Sequence, residues 1–285
     1  MSKLREKMVG VMQLCGLSQG TQQIYIKAVE RLALHYMRSP DRITPEEVQA
    51  FLVSLLEKEQ LSHSTLNCIV AGLRLFYRRV LLRPDVELWI PRRRSPQRLP
   101  EVLSVEEVRR LLATVTNPKH RALLMTLYAA GLRSSEVVRL QLSDIDSGRM
   151  MIRIRSGKGD KDRYTILTQA LLRELRAYWK LEQPPEWLFP GEPPTRPLNR
   201  KSVGRAFAAA KKRAEITKKG GAHTLRYCFA THLIEQGVPV RTVQVLLGHT
   251  STRSTARYIR MARTELSEEH SLLERVMGSQ ESASG

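Results

Sequence analysis

Apolar residues recur at helical spacing through the first eighty positions of the chain, without strand-like alternation. A helix is predicted over 22–36, with one apolar face formed by Ile24, Ala28, Leu32 and Tyr36. Further helices are predicted over 45–58, and over 64–80 after a polar cap at Ser62. This part of the chain is therefore predicted to be a small helical bundle.

The pattern of the second part is mixed. Ser104 and Glu107 form a capping-box sequence that predicts a helix to about residue 113, and a helix over 119–130 is predicted to end at Gly131. Alternating apolar and polar residues over 151–167, around a turn with glycine and lysine, predict a β-hairpin. Helical spacing returns at residue 169. The predicted fold class is mainly α with a small β-sheet.

A segment rich in proline and arginine separates the two parts. Residues 90–100 hold three prolines and four arginines, and no periodicity crosses them. We therefore predict a helical domain over 1–88, a linker over 89–100, a mixed α/β domain over 101–277 and a flexible tail over 278–285.

Charge and composition indicate the class of partner. The 285 residues carry a formal net charge of +19. Each Lys or Arg set against a phosphate releases condensed counterions, so nucleic acid is the leading expectation, with a merely basic surface as the alternative. The longest apolar run, over 122–132, is too short for a bilayer and no secretory signal is apparent, which predicts a cytoplasmic protein. Three widely spaced cysteines predict reduced thiols: Cys15, Cys68 and Cys228.

Two arginines occupy positions that suit an anion. Arg133 stands at a predicted helix break with Glu136 one turn later, and its guanidinium fork can donate two charge-assisted hydrogen bonds to a phosphate. His223 and Arg226 share one face of a predicted first helical turn, where free N–H groups also favour an anion. A surface Arg–Glu pair is the simpler alternative for the first site, and a lone His-x-x-Arg is weak support for the second.

A tyrosine stands among arginines near the end of the chain. Tyr258 follows the Gly248–His249 turn by nine residues and has arginines at 253, 257 and 260. Positive neighbours favour the phenolate and attract a phosphodiester. An ordinary core or interface tyrosine is the alternative.

Taken together and in order, these motifs resemble those of the tyrosine recombinases, the phage-integrase-type site-specific recombinases that include the bacterial chromosome-dimer resolvases. The resemblance rests on Gly-Leu-Arg-x-x-Glu over 131–136, Gly-Lys-Gly over 157–159, His-Thr-Leu-Arg over 223–226, and Leu-Leu-Gly-His over 246–249 followed by Tyr258. The matching motifs lie in the second half of the chain, whereas the resemblance of the first half rests on its helical bundle and the linker after it. Together they cover residues 5–275. One departure is Tyr227-Cys228, where many members have histidine and serine.

The resemblance implies a mechanism. Tyr258 is expected to attack the scissile phosphate and hold its 3′ side, while Arg133 and Arg226 stabilise the charge of the transition state. His223 is expected to accept the tyrosine proton, and Lys158 to donate a proton to the leaving 5′-oxygen.

Supporting roles are implied as well. His249 is expected to hydrogen-bond the phosphate, and Glu136 to orient His223 or Arg133, unless Glu136 is an unrelated surface carboxylate. No nucleotide cofactor is expected, because the bond energy is kept in the phosphotyrosine, and no metal is expected, because fixed cations take its place.

The implied architecture is a core-binding helical bundle followed by a catalytic domain, with double-stranded DNA as the partner. A homotetramer on paired sites is expected, with or without a second recombinase. The segment over 264–277 is expected to dock on a neighbouring protomer, with packing in cis as the alternative. Six arginines are candidates for DNA contact: Arg74, Arg78, Arg79, Arg92, Arg93 and Arg94.

The sequence leaves three alternatives to a recombinase. A type IB topoisomerase-like enzyme shares the tyrosine chemistry without pairing two duplexes. A non-catalytic DNA-binding protein would be free to lose Tyr258 or an arginine, which this chain keeps. An RNA-binding protein with a sheet-based surface would need more than the 6% aromatic residues present.

Overall fold

The structure is a computed structural model that describes residues 3–57, 59, 61–83, 101–155 and 162–248. The chain divides into two compact units, residues 1–98 and 99–285. All three cysteines are free, with Cys228 buried and the other two exposed. In the described ranges, no helix has both the length and the apolar character to cross a membrane.

The first unit is a helical bundle, as the apolar spacing predicts. Its helices are α1 (Lys3–Leu14), α2 (Gln19–Tyr36), α3 (Pro45–Glu57) and α4 (His63–Leu75), the last continued by a π-helical turn over Phe76–Val80. Helix α2 begins three residues earlier than predicted because Ser18 caps it, accepting a hydrogen bond from the backbone N–H of Thr21.

Helix α1 is absent from the sequence prediction. Its buried face consists of Met8 and Met12, 2% and 0% exposed, with Gly10 between them. Two methionines around a glycine give a weak periodic signal, so packing against the rest of the bundle stabilises this helix. The common core also includes Phe51 and Leu73.

The arginines of the last helix lie on its outer face. Arg74, Arg78 and Arg79 are exposed, while Leu73 and Tyr77 from the same stretch are buried. The amphipathic helix expected over 64–80 is therefore confirmed, although its last five residues form a π-helical turn. Contact of this face with DNA stays a prediction, and Arg92, Arg93 and Arg94 lie outside the described residues.

The described part of the second unit combines a three-stranded sheet with helices. The helices are α5 (Val105–Ala113), α6 (Pro118–Ala129), α7 (Ser134–Val137), α8 (Gln169–Glu182), α9 (Arg200–Arg213), α10 (His223–Glu235) and α11 (Val240–Leu247). The capping box before α5 is confirmed, because Ser104 Oγ accepts from Glu107 N at 3.1 Å and Glu107 Oε2 accepts from Ser104 N at 2.7 Å.

The sheet contains the predicted hairpin and one further strand. Strands β1 (Ile145–Asp146), β2 (Met151–Ile154) and β3 (Arg163–Ile166) pair antiparallel in that order. Ile152 pairs with Thr165, and both are buried. The two-residue strand β1 is too short to show alternation in the sequence. The hairpin turn over 156–161, with Lys158, lies outside the described residues.

A sharp turn after α6 depends on Gly131. Its φ of +61° lies in the left-handed region, and a Cβ at this position would lie 2.3 Å from Cδ1 of Phe229. Only glycine therefore fits between the end of α6 and the ring of Phe229. The turn leads directly into Arg133, the residue that precedes α7.

Replacing Gly131 with alanine is expected to lower the free energy of unfolding by roughly 2 kcal/mol or more, through backbone strain and overpacking against Phe229. Gly204→Ala is the matched control, since nothing lies within 4 Å of its Cβ position inside α9. This control should raise the free energy of unfolding by about 0.5–1 kcal/mol. Urea unfolding followed by tryptophan fluorescence checks both, and equal midpoints for the two variants would contradict the assignment.

Candidate active site

A single buried carboxylate organises the site. The side chain of Glu136, 9% exposed, lies in the short helix α7. The backbone N–H of Arg133 donates to Glu136 Oε2 at 2.8 Å, and Arg133 Nη1 donates to Oε1 at 2.6 Å. The Arg–Glu pair expected from the spacing is therefore present, but it is anchored to the backbone and largely buried on its acidic side.

Strand β3 supplies a second guanidinium to the same carboxylate. Arg163 Nη1 and Nη2 donate to Glu136 Oε1 and Oε2, each at 2.9 Å, which is a bidentate pair. Arg226 Nη1 from α10 lies 3.6 Å from Glu136 Oε2. Three guanidinium groups therefore surround one carboxylate.

The ionisation of Glu136 follows from these contacts. Burial alone would raise its pKa. Hydrogen bonds from Arg163, the charge of that residue, the Arg133 backbone N–H and the charge of Arg226 outweigh burial and lower the pKa to about 2. The carboxylate is thus an anion at neutral pH, and it neutralises one of three positive charges. The remaining positive charge favours a second anion beside it.

Arg226 is buried and tied to the backbone. Its residue surface is 1% exposed. Nη1 donates to Gly131 O at 2.6 Å, and Nη2 donates to Leu247 O at 2.7 Å. This side chain therefore joins the turn before α7 to the end of α11. Its predicted contact with a phosphate stays a prediction.

His223, the first residue of α10, is exposed and stands edge-to-face with the Tyr227 ring at a centroid distance of 4.7 Å. Neighbouring protein atoms partly desolvate the ring, and this desolvation, with the positive charges of Arg226 and Arg133, lowers the pKa of His223 from 6.5 to about 4. The imidazole is therefore neutral at pH 7 and able to accept a proton.

A cleft borders the Arg133–Glu136 pair. It has a volume of about 490 Å³ and reaches the sheet and the stretch before α9. Three arginines line it, together with two side chains able to contact a flat or polar ligand: Arg133, Arg139, Arg155, Gln141 and Trp187. The guanidinium of Arg155 is held by the buried Asp144, with Nε donating to Oδ1 at 2.6 Å.

The structure brings together four of the seven predicted site residues, Arg133, Glu136, His223 and Arg226. Three others, Lys158, His249 and Tyr258, lie outside the described residues. Sequence reasoning missed Arg163, whose only signal was an arginine at the first position of a predicted strand.

A further histidine of α10, His232, has a packing role. It is 6% exposed, with Nδ1 2.9 Å from the hydroxyl of Tyr128 and Nε2 2.9 Å from Leu103 O. The carbonyl can only accept, so Nε2–H donates to it, and Nδ1 shares a hydrogen bond with the tyrosine hydroxyl. This buried histidine thus ties α10 to α6 and to the residues before α5.

We expect Glu136→Gln to lower the free energy of unfolding by about 3 kcal/mol at pH 7, since a shift from 4.5 to about 2 is worth 1.36 kcal/mol per unit. A carboxyl with a lowered folded-state pKa stabilises fully above its unfolded value. The difference from the unmodified chain should therefore shrink as the pH falls from about 4.5 towards about 2.

Urea unfolding across that pH range measures the difference. Glu174→Gln is the control, because its ion pair with half-exposed Arg121 belongs to the same unit but not to this cluster. We expect a smaller loss for the control at neutral pH. A Glu136→Gln loss that does not vary with pH would contradict the ionised, buried carboxylate.

Comparison with known proteins places the chain in a family. The sequence pattern of the Phage integrase family matches residues 101–265, and that of the phage integrase N-terminal SAM-like domain matches residues 4–85. The chain is 42% identical over 263 residues to the putative integrase/recombinase y4qK of Sinorhizobium fredii, covering 92% of this chain and 85% of that protein. It is 33% identical over 276 residues to the tyrosine recombinase XerA of Thermococcus kodakarensis, covering 94% and 95%.

Its fold matches that of a lambda integrase tetramer bound to a Holliday junction, with a TM-score of 0.68 and 18% identity over 90% of this chain and 76% of that one. The ordered motifs, the helical first unit and the arginine-rich site agree with these matches. The chain therefore belongs to the phage integrase family and is a tyrosine recombinase, an enzyme that breaks and rejoins DNA at specific sites.

Proposed function

We propose that this recombinase uses Tyr258 as the nucleophile of a metal-independent phosphodiester exchange. The phenolic oxygen forms a bond to the scissile phosphorus, the bond from phosphorus to the 5′-oxygen breaks, and a 5′-hydroxyl leaves. A 5′-hydroxyl from a second duplex then attacks the 3′-phosphotyrosine and releases the tyrosine. The observation that carries the proposal is the excess of positive charge around Glu136, beside an open cleft.

The charge cluster suits the transition state of this reaction. Negative charge grows on the non-bridging oxygens as phosphorus becomes five-coordinate, and fixed cations stabilise that charge most when they need not reorganise. Arg133 keeps 28% of its side chain exposed and borders the cleft, so we assign it the direct contact with the phosphate. We assign Arg226 as the second arginine of the site, whose buried positive charge adds to that of Arg133.

Proton transfers are assigned to the remaining residues. His223 accepts the proton of Tyr258, since its lowered pKa keeps it neutral at pH 7. Approach of a phosphate raises that pKa and so strengthens the base at the time of cleavage. Lys158 donates a proton to the leaving 5′-oxygen, and His249 hydrogen-bonds the phosphate, both on the strength of the sequence motif.

Several basic surfaces of the protein are available to bind the DNA backbone. The first residue of helix α9, Arg200, lies close enough to the site for its charge to lower the pKa of His223. The exposed basic residues of α9 extend away from that end: Arg200, Lys201, Arg205, Lys212 and Arg213. We propose that α9 and the arginines of the cleft bind phosphates, and that Arg74, Arg78 and Arg79 do the same from the first unit.

We further propose a homotetramer on paired sites, formed through the segment over 264–277. The lambda integrase structure is a tetramer on a Holliday junction, and its fold is that of this chain. The domain limits proposed from the sequence, 1–88, 89–100, 101–277 and 278–285, belong to the same hypothesis. Because the substrate is DNA, we place the reaction in the cytoplasm.

A Tyr258→Phe variant is expected to lose covalent attachment to DNA while still binding it. The test uses duplexes nicked near sites from the DNA that flanks the gene, incubated in EDTA and run on a denaturing gel. The unmodified chain should give a slower-migrating adduct, and the phenylalanine variant none, since it lacks the attacking oxygen. Tight, salt-sensitive binding without an adduct on any bound site would contradict catalysis.

Removal of residues 264–285 is expected to spare binding to a single site and to abolish strand exchange between two duplexes. The physical reason is that this segment is assigned to contact between protomers, and single-site binding needs one protomer. Gel-shift titration and a recombination assay measure the two activities on the same preparation. Unchanged recombination by the truncated chain would reject assembly through this segment.

A further inference from the structure

Arg163 is a nearly buried charge that the proposed mechanism leaves without a role. It opens strand β3, and its side chain is 12% exposed. Its two terminal nitrogens each bind one carboxylate oxygen of Glu136. A bidentate pair fixes the plane of a carboxylate as well as its position. The orientation of Glu136 is therefore set from β3 as well as from the Arg133 backbone.

That orientation matters to Arg133. Glu136 Oε1 accepts from Arg133 Nη1 at 2.6 Å and from Arg163 Nη1 at 2.9 Å, so the same oxygen is shared by both arginines. Rotation of the carboxylate would displace the guanidinium of Arg133, which is the more exposed of the two side chains. A long side chain without this anchor would regain several rotamers.

Arg163 also reaches the end of α11. Its Nε lies 3.4 Å from Leu246 O, beside the contact of Arg226 Nη2 with Leu247 O at 2.7 Å. The last carbonyls of a helix lack partners within the helix and carry partial negative charge. Two guanidinium groups therefore cap α11, and both belong to the cluster around Glu136.

The backbone at Gly248 passes directly over Arg163. A Cβ there would lie 2.4 Å from Arg163 Cδ and 2.7 Å from Nε, and the φ of +64° is in the left-handed region. The position thus needs glycine for two separate reasons. The close approach fixes the end of α11 against the aliphatic part of Arg163.

We propose that Arg163 is a positioning residue of the recombination site, which acts through Glu136 to hold Arg133 and Arg226 in register with the end of α11. It does not itself contact DNA. This inference rests on the proposed function, since the positioned groups are those assigned to the scissile phosphate. Its consequence is that loss of Arg163 impairs cleavage far more than DNA binding.

The test measures single-turnover cleavage of a nicked duplex at saturating protein, together with the dissociation constant from gel shifts. Arg163→Gln should slow cleavage on the order of 100-fold, the effect expected of a displaced catalytic group, and weaken binding less than about threefold. Arg163→Lys keeps the charge but not the fork, so a loss of about tenfold is expected. The matched control is Arg121→Gln, which breaks the ion pair with Glu174 and should leave both values unchanged.

A double-variant cycle separates positioning from general support of the fold. If Arg163 acts through Glu136, the variant with both Arg163→Gln and Glu136→Gln should cleave no more slowly than Glu136→Gln alone. Loss of Arg163 should also raise the pKa of Glu136. The Glu136 carboxyl of Arg163→Gln should therefore titrate at higher pH than that of the unmodified chain, a shift that mere loss of stability would not produce.

Thermal unfolding of each variant gives the folded fraction by which rates are divided. Should Arg163→Gln fail to fold, Arg163→Lys and Gly248→Ala provide the test. The methyl group of Gly248→Ala would displace the Arg163 side chain, so this variant should also slow cleavage more than it weakens binding. Cleavage by folded Arg163→Lys at the rate of the unmodified chain, or losses that multiply in the double variant, would overturn the inference. Failure of the unmodified chain to form any adduct would instead overturn the proposed function.

Discussion

The site depends on one buried ion cluster, the carboxylate of Glu136 among the guanidinium groups of Arg133, Arg163 and Arg226. Taking a carboxylate out of water is costly unless its oxygens are fully hydrogen-bonded. Here both oxygens accept from arginines, and one also accepts a backbone N–H. The same arrangement leaves positive charge in excess, so the contacts that stabilise the fold also favour a second anion beside Glu136.

The cluster is built by bringing separate backbone segments together. Arg226 binds the carbonyls of Gly131 and Leu247, which lie at the end of α6 and at the end of α11. Each helix is followed by a glycine with positive φ, and a side chain lies where a Cβ would be: Phe229 over Gly131 and Arg163 over Gly248. The glycines of the two motifs therefore serve close packing, which sets where the charged groups stand.

Sequence reasoning predicted, from residue type and spacing, pairs that the structure brings together, such as Arg133 with Glu136 and His223 with Arg226. It also identified the capped and strongly amphipathic helices and the β-hairpin, because these depend on local patterns. It missed α1, whose apolar face is two methionines, and β1, which is two residues long. It missed Arg163 and the burial of Arg226 because both follow from contacts between residues far apart in the chain.

The most direct test is an experimental structure of the Tyr258→Phe variant bound to a duplex that contains its site. We predict the scissile phosphate within about 3 Å of the Arg133 guanidinium, with the ion pairs from Glu136 to Arg133 and Arg163 still formed. A phosphate bound away from Arg133, or a Glu136 that has released both arginines on binding DNA, would contradict the claim that this cluster is the phosphate site.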